Sequence, residues 1–218
     1  MTQRENVIKH VSQMIVTLGV KSVRMDDVAS SMAMSKRTLY EMFGDKEELL
    51  YESMAFLINE RGARLTSLTR SCDNMLEVLL LSVRELCGNG IGSELEQRLA
   101  YNLKKFYPSV YDRVRKYHSE HGLKGLRFAL DKCSSEGLLD PHADIELMAQ
   151  LFLMTIGMYM SDGNVTLPKH VSREEAFAAM TINFLRGIAS VKGLQVIDQT
   201  LARDAKSSCK CLTDENNK

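Results

Sequence analysis

The stretch from Arg24 to Leu50, RMDDVASSMAMSKRTLYEMFGDKEELL, restricts the fold more tightly than any other part of the chain. Its apolar residues fit three short helices separated by two tight breaks. Val28, Ala29 and Met32 make one short face, Met34 and Ser35 interrupt it, Leu39 and Phe43 lie four apart on the next helix, and Leu49 and Leu50 open a third. Ser35 suits the N-cap of the middle helix, because its hydroxyl can accept from an otherwise unpaired amide two or three residues on. Lys36 and Arg37 then fall in the first turn, where each cation opposes the helix dipole at a cost of about 0.3–1 kcal/mol. Two cations set against a dipole suit a helix end that meets an outside anion. Two helices joined by a short turn, the second led by Ser-Lys-Arg-Thr, have the layout of a helix-turn-helix.

The rest of the chain is read as further helices. No run has the alternating pattern of a strand, and only 3 prolines occur among 218 residues. A first helix is expected over Gln3–Leu18, with Ile8, Val11, Ile15 and Leu18 on one face and Gly19 ending it. Asp45, with Glu48 three residues later, caps a fourth helix whose stripe is Leu49, Leu50, Met54, Leu57 and Ile58. A fifth spans Met75 to Gly88, a polar sixth covers 93–107 before Pro108, and a seventh runs on to Gly137. Gly62, Gly122 and Gly125 are weak points in the fourth and seventh. Asp140-Pro141 reads as the start of an eighth helix, and Ser172 with Glu175 as the capping box of a ninth. The expectation is an all-α chain of about nine helices. An N-terminal three-helix helix-turn-helix domain (1–46) precedes a larger C-terminal helical bundle (47–198) and a polar, disordered tail (199–218).

Composition narrows the class. Basic and acidic residues balance at 28 each, so contact with nucleic acid must come from local placement of charge. The longest nearly apolar run, Leu147 to Met160, is shorter than the roughly 20 residues of a bilayer span. The N-terminus is polar and lacks a secretory pattern, and the reading is a cytoplasmic protein with no membrane association. Five scattered cysteines, with no C-x-x-C pair, suggest neither a disulfide framework nor a zinc site. No metal, cofactor or catalytic residues are expected.

The residues Gly19-Val20, Asp27-Val28-Ala29, Met34-Ser35-Lys36-Arg37-Thr38-Leu39-Tyr40, Phe43 and Asp45-Lys46-Glu47-Glu48-Leu49-Leu50 together resemble the DNA-binding domain of TetR-family transcriptional regulators. The resemblance implies an all-α homodimer, a repressor of transcription released from operator DNA by a small-molecule effector, with a C-terminal region that varies with the ligand. It places the third helix in the major groove. Lys36, Arg37 and Thr38 then face bases or flanking phosphates, Tyr40 and Lys46 face phosphates, and Ser35 caps the reading helix. Three positions depart from the family's pattern. Ala33 stands where the turn usually has glycine, Arg24 replaces a Thr or Ser at the start of the second helix and offers a phosphate contact instead, and Met42 replaces a His or Tyr that would supply one.

Beyond that domain the reading stays open. Between Arg98 and Arg127 eight Lys and Arg face two acids, interleaved with aromatics. This is either the outer face of two helices or the mouth of an effector pocket, for which Met54, Phe106, Tyr111, Tyr117 and His118 are the candidates. The eighth and ninth helices hold more apolar residues than one inner face can bury, so a two-fold copy is expected to cover the surplus through them. Two other classes remain. A bulk nucleic-acid binder without sequence preference would be expected to be strongly basic, and a helical enzyme would need a convergent catalytic set that no motif here supplies.

Overall fold

Thr2 begins the first helix with a reciprocal cap. Its hydroxyl accepts from Glu5 N at 3.2 Å, and the Glu5 carboxylate accepts from Thr2 N at 2.7 Å. The computed structural model describes residues 2–88, 94–161 and 167–214, and among these the chain forms ten α-helices. They are α1 (Gln3–Leu18), α2 (Met25–Ser31), α3 (Lys36–Phe43), α4 (Lys46–Leu68), α5 (Met75–Gly88), α6 (Glu94–Phe106), α7 (Pro108–Ser135), α8 (Ile145–Ser161), α9 (Arg173–Ile188) and α10 (Val191–Asp214). A 3-10 turn, Val20–Ser22, separates α1 from α2. No helix among the described residues is long and apolar enough to cross a membrane.

The chain divides into two compact units, the first comprising Met1–Arg64 with Gly92–His121, the second Leu65–Ile91 with Gly122–Lys218. In the first unit, Val7, Val11 and Ile15 of α1, Val28 of α2, Leu39 and Phe43 of α3 and Leu49 and Leu50 of α4 form one buried cluster. Leu99 and Leu103 of α6 and Val110 and Val114 of α7 belong to the same cluster. The spacing of four within α1, α3, α6 and α7 lets each bring a single apolar stripe to the helix-turn-helix core. Both α4 and α7 run unbroken through Gly62, Gly122 and Gly125.

Two segments differ from the expected pattern. Asp140-Pro141 does not open α8. The Asp140 carboxylate accepts from His142 N at 2.9 Å and makes a local turn, while Asp140 N donates to Ile188 O at 2.9 Å. The helix starts a few residues later, where Asp144 Oδ1 accepts from Leu147 N at 3.0 Å. From Gln199 to Asp214 the chain continues as part of α10 where a loose tail is expected, and residues 215–218 of that tail lie outside the described residues. Ile197 and Thr200, three apart, are buried, and Ile197 joins the core of the second unit with Leu76, Leu130, Leu138 and Leu185. This one-sided stripe carries a helix whose other residues are largely polar.

Gly193, in the first turn of α10, is required by close approach. A Cβ there would stand 2.0 Å from Leu138 O. The same region holds an isolated bridge between Leu139 and Ala189, and the Ser190 hydroxyl donates to Gly137 O at 2.8 Å. Gly193→Ala forces backbone to move, so it is expected to destabilise the second unit by about 1–3 kcal/mol. Urea unfolding reads this directly, and an unchanged midpoint would contradict the close approach.

Candidate nucleic-acid interface

Ser35 sets the geometry of α3. Its Oγ accepts from Thr38 N at 3.0 Å and lies 2.8 Å from the Thr38 hydroxyl. Leu39 and Phe43 turn into the core, which leaves Lys36, Arg37, Tyr40 and Glu41 exposed. Positions 36, 37, 40 and 41 share one face at helical spacing. Lys36 Nζ lies 2.9 Å from an Asp26 carboxylate oxygen, and the hydrogen bond to Asp26 raises its pKa, so the ammonium stays charged. Arg37 projects with its side chain 88% exposed, and its Nε meets Glu41 Oε1 at 2.9 Å. Glu41 is a member of this surface that the motif alone does not name, although its spacing of four from Arg37 is legible in the sequence. Arg24, the N-cap residue of α2, is exposed, and its guanidinium, a donor only, makes no side-chain cap.

Lys46 opens α4 close behind α3. Its Nζ donates to the Tyr107 hydroxyl at 2.7 Å and sits 5.0 Å from the centre of that ring. Asp45 caps the helix by accepting from Glu48 N at 2.8 Å. The Glu48 carboxylate meets Arg113 of α7 with both oxygens, at 2.8 and 3.1 Å. Arg113 also lies 3.9 Å over the Tyr51 ring. The start of α4 is thus fastened to α7 by a two-pronged ion pair, a contact that local spacing cannot reveal.

The turn between α2 and α3 holds its alanine in a strained conformation, at the position where the family's pattern has glycine. Ala33 has φ 50, the left-handed region that favours glycine. Ala33→Gly is expected to raise stability by up to about 1 kcal/mol, the relief of backbone strain offset by glycine's larger unfolded-state entropy. A lower unfolding midpoint would show that the alanine is not strained. Met42 packs half-buried against the core and offers no polar group at this surface.

The candidate effector residues fall into separate surroundings. Met54 and Tyr111 pack half-buried against the core of the first unit. Tyr117 donates to Asn59 Oδ1 at 2.9 Å, stacks on His121 at 5.5 Å and meets Tyr51 edge-on at 6.3 Å. Phe106 lies at the surface with Lys21 Nζ 5.1 Å from its centre, and His118 is exposed. Tyr117 lies nine steps along α7 from Pro108, a rise of about 13 Å. A cleft of about 260 Å³ lies between α1 and α4, lined by Ser12, Val16 and Leu57 among others, and one of about 460 Å³ in the second unit involves Asp73, Glu136 and Lys192. Neither is lined by the five candidates.

A capped helix with an exposed cationic face, braced by two others around one core, defines a helix-turn-helix DNA-binding domain. Residues 13–52 match the family model of bacterial regulatory proteins, tetR family. A transcriptional regulator from Cytophaga hutchinsonii aligns over 85% of this chain and 98% of its own, at 14% identity and TM-score 0.67. A TetR-family regulator from Pectobacterium atrosepticum aligns over 85% and 93%, at 18% and 0.61, and one from Agrobacterium tumefaciens over 86% and 98%, at 18% and 0.56. At these identities the likeness is one of fold, and it extends well past the matched segment. Among curated proteins none matches in sequence. The segment 13–52 is a tetR-family helix-turn-helix domain, and the chain that carries it shares the fold of these solved structures.

Proposed function

We propose that the chain is a homodimeric repressor that reads operator DNA with α3 and leaves it when a small molecule binds beside α4 and α7. The observation that carries the DNA reading is the exposed face of α3, led by Lys36 and Arg37 against the helix dipole. Arg37 grips a guanine edge, Lys36, Thr38 and Tyr40 hold neighbouring bases or phosphates, and Arg24 and Lys46 hold the backbone on either side. Sequencing of duplex fragments selected by the purified protein tests this. Enrichment of a two-fold symmetric site supports it, and recovery of random sequence would leave a bulk binder.

The release step rests on the fastening of α4 to α7. Arg113 with Glu48, Tyr107 with Lys46 and Tyr117 with Asn59 tie α4 to α7 and the residue before it, from the first turn of α4 onward. A ligand taken beside Met54, Tyr111 and Tyr117, with Phe106 and His118 toward the outside, displaces α7 or α4, because packed side chains yield little to compression. Any such shift moves Lys46 and the end of α3 with it. By linkage, operator DNA weakens ligand binding by the same factor that ligand weakens DNA binding. A small-molecule panel measured by thermal shift and by operator release is expected to return compounds active in both. A compound that binds at Tyr117 and leaves operator affinity unchanged would sink the coupling.

A further inference from the structure

The last turn of α6 packs against the 3-10 turn Val20–Ser22 and gathers cations around aromatic rings. Lys21 and Lys105 place their Nζ atoms 5.1 and 5.5 Å from the centre of the Phe106 ring, and Lys105 lies 5.7 Å from that of Tyr101. Lys104 is exposed beside them, and Tyr101 is 63% exposed. Among the described residues no carboxylate pairs with Lys21, Lys104 or Lys105, whereas Arg4, Lys36, Arg37 and Arg113 each have one. The next residue in the chain, Tyr107, holds Lys46. One junction therefore joins the cation at the start of α4 to Lys104 and Lys105, outside the helix-turn-helix domain, and to Lys21 in the turn between α1 and α2.

We infer that this junction of α6 and α7, with Lys21 beside it, is a second phosphate-binding surface that takes up the DNA backbone flanking each half-site. The inference rests on the reading of Lys46 as a phosphate contact. Ammonium groups that no carboxylate neutralises, continuing a DNA-binding edge, match a duplex, whose phosphates repeat along its length. The rings matter as well as the charges. A lysine head held over an aromatic face within about 6 Å has already given up part of its freedom, so meeting a phosphate costs it less. Such contacts carry no sequence information, and they lengthen and anchor the footprint.

The test compares wild type with the Lys21→Ala, Lys104→Ala, Lys105→Ala triple variant on the selected operator and on a random duplex, across a salt series. The three side chains lie on the surface, and helical content and melting temperature verify folding. The slope of log affinity against log salt is expected to flatten by about 0.9 for each phosphate that the variant no longer neutralises, on both duplexes. Trimming base pairs from the operator's outer ends is expected to weaken the wild type and leave the variant nearly unchanged. A Lys→Arg version of the triple variant is expected to retain the wild-type slope. Equal slopes and equal sensitivity to trimming in wild type and variant would overturn the inference. A wild type with no preference for operator over random duplex would instead overturn the operator reading, while the slopes on random duplex still decide the flanking surface.

Discussion

Arg37→Ala is expected to lower operator affinity by roughly 5- to 150-fold for each half-site and to relax preference at one base position. A guanidinium that grips guanine O6 and N7 with two bonds contributes about 1–3 kcal/mol of discrimination. Arg37 is placed for this by the cap at Ser35, by its exposure and by Glu41, which accepts from its Nε at 2.9 Å and leaves the rest of the fork outward. That exposed pair contributes only about 0.3–0.5 kcal/mol, so it orients the fork without outcompeting a base. Arg37→Lys keeps the charge and loses the two-pronged geometry, and it is expected to retain general affinity while losing the base preference. Lys46→Ala is expected to behave in the opposite way. Its removal weakens binding to all sequences alike and makes the salt slope shallower by about one for each protomer. Competition binding at several salt concentrations separates the three variants. If Arg37→Ala keeps the wild-type preference at every base position, α3 does not read the groove in this register.

Structure that depends on near neighbours is legible in the sequence. Caps at Ser35, Asp45 and Ser172 pair a side chain with an amide a few residues away, and all three are present. The strain at Ala33 is legible only against the family's pattern, which the resemblance gives as glycine at that position. Asp140-Pro141 shows where near neighbours stop deciding. Asp before Pro suits both a helix start and a tight turn, and the bond from Asp140 N to Ile188, distant in sequence, selects the turn. The continuation of α10 is hidden in the sequence because its apolar stripe is thin and Asp198, Gln199 and Arg203 dominate the local composition. At the interface, Lys36 and Arg37 are legible from their conflict with the dipole. Tyr107 and Arg113 are not, because their partners Lys46 and Glu48 lie 61 and 65 residues away. These long-range pairs determine how α4 is held, and only the folded chain brings them together.

Placing charge on α8 is expected to split the protein into monomers and remove most of its operator affinity. Leu147, Leu151 and Met154 are 46, 46 and 64% exposed, and their spacing of four and three puts them on one stripe. On α9, Ala179 and Gly187 are exposed eight residues apart on one face, small residues that allow another helix to approach closely. Phe152 and Phe184 stack at 4.4 Å and hold the two helices together, so the apolar stripe and the small-residue stripe belong to one packed pair. A two-fold copy can cover both in a four-helix contact. Leu151→Arg with Met154→Arg then sets two charges against their own copies, and burying either without a partner costs several kcal/mol. The variant should keep its helical content, because both side chains project outward. Light scattering is expected to show a dimer for wild type and a monomer for the variant at micromolar concentration. The dimer carries two copies of α3, which one helical turn of DNA, about 34–36 Å, can receive together. Breaking the link removes the high effective concentration of the second reading helix, so operator affinity is expected to fall by about 10²–10⁴-fold, while binding to a single half-site changes little. A variant that remains dimeric, or a wild type that is monomeric, would move the interface away from α8 and α9. A monomeric variant with undiminished operator affinity would instead mean that one protomer reads the whole site.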